Sequence, residues 1–107
     1  MQLLLLEKCL SASELGAFYS ASRMEAMPKS IGTPEHDIMI SELANMRSQA
    51  GFSQRELAAA LRVSPSWVAK VEIGERRIDL VEFCWWCRAL GQDPAKSAQM
   101  LVAEMLR

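Results

Sequence analysis

Between Gly51 and Gly74 the chain reads GFSQRELAAALRVSPSWVAKVEIG, and two helix starts fall within it too close together for their helices to lie antiparallel. Ser53 stands three residues before Glu56. In this S-x-x-E pattern each side chain satisfies an orphan backbone donor at a helix N-terminus. Leu57, Ala58 and Leu61 then share a face, with Gln54, Arg55 and Ala59 turned outward. After only Arg62 and Val63, Ser64 supplies a second N-cap and Pro65 a second first-turn residue. The second helix buries Val68 and Val71 and turns Ser66, Trp67, Ala69 and Lys70 the other way. So short a connection makes the two helices cross steeply, and Ala58 is small enough to let them approach. The crossing pushes the second helix out as a ridge of a size that enters a DNA major groove.

The flanking sequence is helical too. Thr33-Pro34-Glu35 places an N-cap, a proline at the first helical position and an acid facing the positive end of the dipole. That helix extends to about Ala50, where Gly51 permits a left-handed stop. Its core stripe is Ile40, Leu43, Met46 and Ala50, and His36 is expected on its surface near the start. A polar loop, Gly74-Glu75-Arg76-Arg77, leads to a fourth helix from about Leu80 to Leu90, ended by Gly91. Leu80, Phe83, Trp86, Cys87 and Leu90 share one face of it. Asp93-Pro94 opens a fifth, with Ala95, Ala98, Leu101, Val102 and Met105 at helical spacing. The expected fold is all-α: a compact five-helix domain over residues 33–107, preceded by an extension over 1–32.

On these landmarks, residues 36 to about 93 resemble the helix-turn-helix domain of the Cro/C1-type repressors, the xenobiotic-response-element family. The matching positions are Arg47, Gly51 to Gln54, Glu56 to Ala58, Leu61, Val63-Ser64, Val68, Val71-Glu72, Gly74 and Arg88 to Gly91. The resemblance implies a lambda-repressor-like fold and a role in binding double-stranded DNA. It implies that Gln54 contacts a phosphate and braces the reading helix, and that Ser66 and Lys70, with Ser64, Pro65 and Trp67 beside them, face the bases. It also implies a structural salt bridge between Arg47 and Glu72. One position departs from the pattern: Arg62 stands where the turn usually has Gly, and a left-handed backbone there costs a non-Gly residue about 1 kcal/mol.

Charge supports this reading locally rather than globally. The net charge is −1, far from the basic balance that would itself suggest nucleic-acid binding. Yet Arg47, Arg55, Arg62, Lys70, Arg76 and Arg77 outnumber Glu56, Glu72 and Glu75 in the segment between them. Arg55, Arg76 and Arg77 are candidates for backbone phosphates. Trp67 has two readings: against a thymine methyl or sugar, or against the core between the helices.

Other chemistries find little support. Three cysteines, an odd number, point to a reducing compartment rather than a disulfide framework. Cys84-Trp85-Trp86-Cys87 spells C-x-x-C, but inside a helix, where core packing is the expected role. His36 and Cys9 are poor further ligands for zinc, so neither metal nor cofactor is expected, and no catalytic constellation is present. The opening MQLLLLEKCL lacks a basic leader and is broken by Glu7-Lys8, so neither a signal peptide nor a membrane span is expected, and a cytoplasmic location is.

Within residues 1–32, Ser11 to Met27 admits a helix that could serve as a partner-binding arm, against the blander reading of a weakly ordered extension. Met24 and Met27 precede the usual start of this family, so residues 1–26 are also open to reading as an upstream start-codon choice. The functional expectation is a sequence-specific transcription regulator, a repressor or antitoxin-like autoregulator, acting as a homodimer. Trp85, expected to point outward with Val81, and the fifth helix are the first candidates for the dimer surface. The alternative is a protein-interaction module on the same fold, with a partner such as a toxin and DNA binding lost or secondary.

Overall fold

The structure, a computed structural model, describes residues 27–107. The expected helix between Ser11 and Met27 lies outside the described residues, apart from Met27 itself. Five helices occupy the described chain: α1 (Pro34–Gln49), α2 (Gln54–Leu61), α3 (Pro65–Glu72), α4 (Leu80–Ala89) and α5 (Pro94–Met105). Among the described residues there is no strand.

Each helix begins on a side-chain cap. Thr33, Ser53, Ser64, Asp79 and Asp93 accept backbone N–H groups of the first turns they precede. At α2 and α4 the cap is reciprocal, with Glu56 and Glu82 reaching back to the N-cap amides. The α2–α3 turn closes on Arg62, which adopts φ 60° and ψ 42°, the left-handed conformation that the sequence assigns to this position.

α2 and α3 pack on one another; α3 also meets α1, α2 meets α4, and α5 closes against α1 and α4. The core is Leu43 and Met46 from α1, Leu57 and Ala58 from α2, Val68 and Val71 from α3, Phe83, Trp86 and Cys87 from α4, then Leu90 and Leu101. Trp86 is wholly buried, and its indole N–H donates to the Leu43 carbonyl at 3.3 Å, so the largest core side chain leaves no unpaired donor.

Several expectations about burial need correction. Ala95, expected on the α5 stripe, is exposed, and Ile40 is only half-buried and stays outside the core cluster, where Ile38 and Met39 of α1 pack instead. Leu80 does not join the core stripe; it is 73% exposed, as the first residue of α4 at the rim of a hollow that Phe83, Leu101 and Val102 also line. Val102 is also about half exposed, on the outer edge of the α5 stripe whose centre is Leu101. His36 is not on the surface: it is buried, because the chain leaving α3 folds back over the start of α1. Gly74 makes that return possible. It has φ 84°, and a β-carbon there would stand 3.1 Å from Ile40 Cδ1 and 3.8 Å from His36 Cε1.

Candidate nucleic-acid interface

α3 owes its exposure to its two anchors. At its N-terminus Ser64 Oγ accepts from Trp67 N at 3.2 Å while Pro65 sits in the first turn. At its C-terminus Glu72 is held from two other helices. Arg47 Nε donates to Glu72 Oε2 at 2.6 Å and Arg47 Nη2 to Oε1 at 3.0 Å, a two-pronged contact. Gln54 Nε2 donates to the same Oε1 at 2.8 Å. Arg47 spends its remaining prong on the Phe52 carbonyl at 2.7 Å, tying the α1–α2 link into the cluster. The bond to Glu72 holds the Arg47 guanidinium above its ordinary pKa even against partial burial. A carboxylate at a helix C-terminus is disfavoured by the dipole, so these donors also offset an unfavourable placement of Glu72.

Between these anchors Val68 and Val71 fill the core, leaving Pro65, Ser66 and Lys70 exposed. Ser66 and Lys70 are four apart and therefore lie on one side of α3. Alongside runs a concavity of about 930 Å³, walled by α3 on one side and by the loop from Glu75 to Asp79 on the other. It brings together Ser64, Ser66, Trp67, Lys70, Arg76 and Arg77. Arg55 and Gln54 stand apart from it at the start of α2, Arg55 exposed and Gln54 half-buried under its bond to Glu72.

Trp67 takes the inward of its two readings. It is half-buried, packs on the core, and its ring centroid lies 6.3 Å from that of Trp86 at a 41° tilt. Its outer face is covered: Arg76 Cζ lies 5.2 Å from the ring centroid, in the range of a cation–π contact. Arg76 also approaches Glu82 at 3.5 Å, so its charge is shared before any ligand arrives. Lys70 and Arg77 form no ion pair among the described residues and remain the free cations of the concavity. Glu75, Asp79 and Glu82 also line it, so carboxylates stand among its cations.

Two contributors escaped sequence reasoning. Glu82 both completes the α4 cap and positions Arg76, and its signal was present as Asp79-x-x-Glu82, the same capping spacing as Ser53-x-x-Glu56. Ile31 lines the concavity from the segment preceding α1, with no pattern in the sequence to suggest it.

Cys84 and Cys87 of the C-x-x-C pair are both free thiols, the first half-buried and the second in the core. Cys87 is fully buried, and burial, only partly offset by Ser97, pushes its thiol above the ordinary value, away from reactivity. Among the described residues no group of three or more His, Cys, Asp and Glu side chains could hold a metal ion. No helix among them is long and apolar enough to cross a membrane.

A capped pair of short helices crossing at a tight turn, with the second exposed along one edge and clamped at its far end, is a helix-turn-helix domain. A family described as a helix-turn-helix domain matches residues 41–100. Among solved structures, an XRE-family like protein from Pseudomonas syringae pv. tomato str. DC3000 is 40% identical, covering 65% of this chain and 85% of its own, with a TM-score of 0.62. Two structures of the clp gene regulator ClgR from Corynebacterium glutamicum are 27% identical. One covers 69% of this chain and 79% of its own at a TM-score of 0.60; the other covers 72% and 99% at 0.59. A search of curated proteins gives no match. The chain belongs to the helix-turn-helix family of XRE-like regulators, and its fold is that of a DNA-binding transcription regulator.

Proposed function

We propose that this protein is a sequence-specific, homodimeric transcription regulator that reads a DNA major groove with α3. The observation that carries the reading is the exposed pair Ser66 and Lys70 on one side of a helix clamped at both ends, beside Arg77, which forms no ion pair among the described residues. Ser66 can donate or accept at a base edge, and Lys70 can donate to guanine O6 and N7 or to a phosphate. Arg55, at the start of α2, and Arg77, across the concavity, are placed to hold phosphates on either side, with Pro65 and Ser64 at the entering end of α3. Gln54 acts chiefly as a brace through Glu72, and Arg76 grips from its seat on Trp67. Family membership supports DNA binding and transcription regulation; the mode in this reading is that of a repressor or an antitoxin-like autoregulator acting in the cytoplasm.

One short helix reads few base pairs, so two copies on a two-fold site about 34 Å apart supply the specificity. The apolar hollow between α1, α4 and α5 suits the second copy. Leu80 and Val102 rim it, Phe83 and Leu101 floor it, and Leu106 is exposed near the end of α5. A two-fold contact there sets mostly apolar surface against itself, with Asp79 the one charged residue of its lining.

The test is selection from a randomised duplex library across a salt series, comparing the parent with Ser66→Ala/Lys70→Ala. Enrichment of a palindrome that the double variant no longer selects is the expected result. Binding that shows no sequence enrichment even at low salt would overturn it.

A further inference from the structure

We infer that the groove beside Trp85 docks an acidic segment of a partner protein, one that seats an apolar side chain on the indole and sets carboxylates against Arg62 and Arg88. The groove, about 470 Å³, lies between the end of α2 and the last turns of α4 and is lined by Ala60, Leu61, Arg62, Trp85, Arg88 and Ala89. It is distinct from the concavity along α3 and does not depend on α3 reading DNA.

Three observations coincide there. First, Trp85 is 55% exposed while its neighbour Trp86 is wholly buried. It stands between this groove and a smaller hollow of about 90 Å³ that Leu61, Val63, Trp67 and Glu82 also line, the last facing Arg76, so the open flank lined by cations is the larger groove. Second, Arg62 and Arg88 are exposed, and among the described residues neither forms an ion pair, whereas Arg47, Arg76 and Arg107 each face a carboxylate. Third, Arg62 is the one non-glycine residue at positive φ among the described residues. Glycine would hold that turn without steric cost, so the fold keeps a guanidinium here at the expense of backbone strain.

The chemistry selects among occupants. A second copy meeting this surface across a two-fold axis would bring Arg62 and Arg88 toward their own counterparts, a like-charge contact that disfavours association. A DNA backbone would use the two cations but neither the indole nor the small apolar floor of Ala60, Leu61 and Ala89. A peptide with an aliphatic or aromatic residue between Asp or Glu residues uses all of them, and Trp and Arg are the side chains over-represented where protein interfaces gain most of their affinity.

The experiment is selection of random dodecapeptides displayed on phage against the full chain, followed by binding of the enriched peptides to variants. The expected peptides carry an apolar residue flanked by carboxylates, and in NMR spectra they move the Trp85 indole N–H. Trp85→Ala weakens them by about thirtyfold or more, and Arg62→Gly and Arg88→Ala by about fivefold or more each. Arg62→Gly separates docking from folding, since it removes the cation while relieving the turn, so its thermal midpoint must not fall. Absence of enriched peptides, peptides without carboxylates, or undiminished binding to Arg62→Gly/Arg88→Ala overturns the inference. So does a random-sequence duplex that moves the Trp85 indole N–H and whose salt dependence Arg88→Ala reduces, since that assigns the groove to nucleic acid.

Discussion

Arg47 and Glu72 join the middle of the fold to the end of α3 through two hydrogen bonds, of 2.6 and 3.0 Å, with the Glu72 side chain only 6% exposed. The pair fixes the tilt at which α3 leaves the domain. Removing the arginine leaves a buried carboxylate with Gln54 as its remaining side-chain donor. Arg47→Ala is therefore expected to lose about 3–5 kcal/mol, the cost of stranding one partner of a buried ion pair. Urea denaturation checks this, and a midpoint equal to the parent's would contradict it.

The strained turn makes the opposite kind of change available. Relief of a left-handed backbone at Arg62 is worth about 1–2 kcal/mol, and the added freedom of glycine in the unfolded chain takes back about 0.4–1 kcal/mol. Arg62→Gly is expected to be at least as stable as the parent, with a gain of up to about 1.6 kcal/mol and a thermal midpoint that does not fall. Arg62→Ala, which keeps the backbone strain, should show no such gain in a calorimetric scan.

His36 is buried with neither ring nitrogen meeting a hydrogen-bond partner in the protein. A polar group left in that state costs about 1–3 kcal/mol, and replacing it by an apolar side chain recovers part of this. His36→Leu is expected to match or exceed the parent in chemical denaturation. A loss of more than about 1 kcal/mol would mean that the ring is paired in solution.

Cys87 sets a dependence on alkaline pH. Its thiol is raised in the folded state by burial, so its contribution is complete below the unfolded value, about 8.5, and is lost as pH rises through the folded value. The stability difference between the parent and Cys87→Ala should shrink above about pH 9. Alkylation at neutral pH should modify Cys87 only on unfolding, and rapid labelling of the native protein at this residue would contradict the buried assignment.

On the DNA side, phosphate contacts and base contacts separate by salt. Arg77→Ala should weaken binding to all duplexes alike and lower the slope of log affinity against log salt by about one. Ser66→Ala should leave that slope unchanged while relaxing preference at one position of the site. Measuring both variants over one salt series distinguishes the two roles.

The sequence made the elements legible because their ends are written in side chains. Thr33, Ser53 and Ser64 cap where the spacing requires, and Leu43, Leu57, Val68 and Val71 fall on the faces their periods define. It could not place His36, whose burial depends on the Gly74 loop returning over α1 rather than on any helical period. Nor could it choose for Trp67, which sits at the edge of the α3 stripe and is turned inward by Trp86 beneath it and Arg76 above it. Arg76 looked as free as Arg77, because its ion pair with Glu82 is created by the path of a loop.

That inward turn of Trp67 divides α3 into parts with different freedom to vary. A substitution at Trp67 disturbs the indole stack in the core and the perch of Arg76 together, so most replacements there would be purged before any new binding preference could be selected. Ser66 and Lys70 are exposed and lie outside the core cluster, so substitutions there are expected to leave folding intact. On the proposed reading of DNA by α3, changes at those two positions alter the target site while Trp67 keeps the fold, and a laboratory library built to test that reading should randomise Ser66 and Lys70 and leave Trp67 fixed.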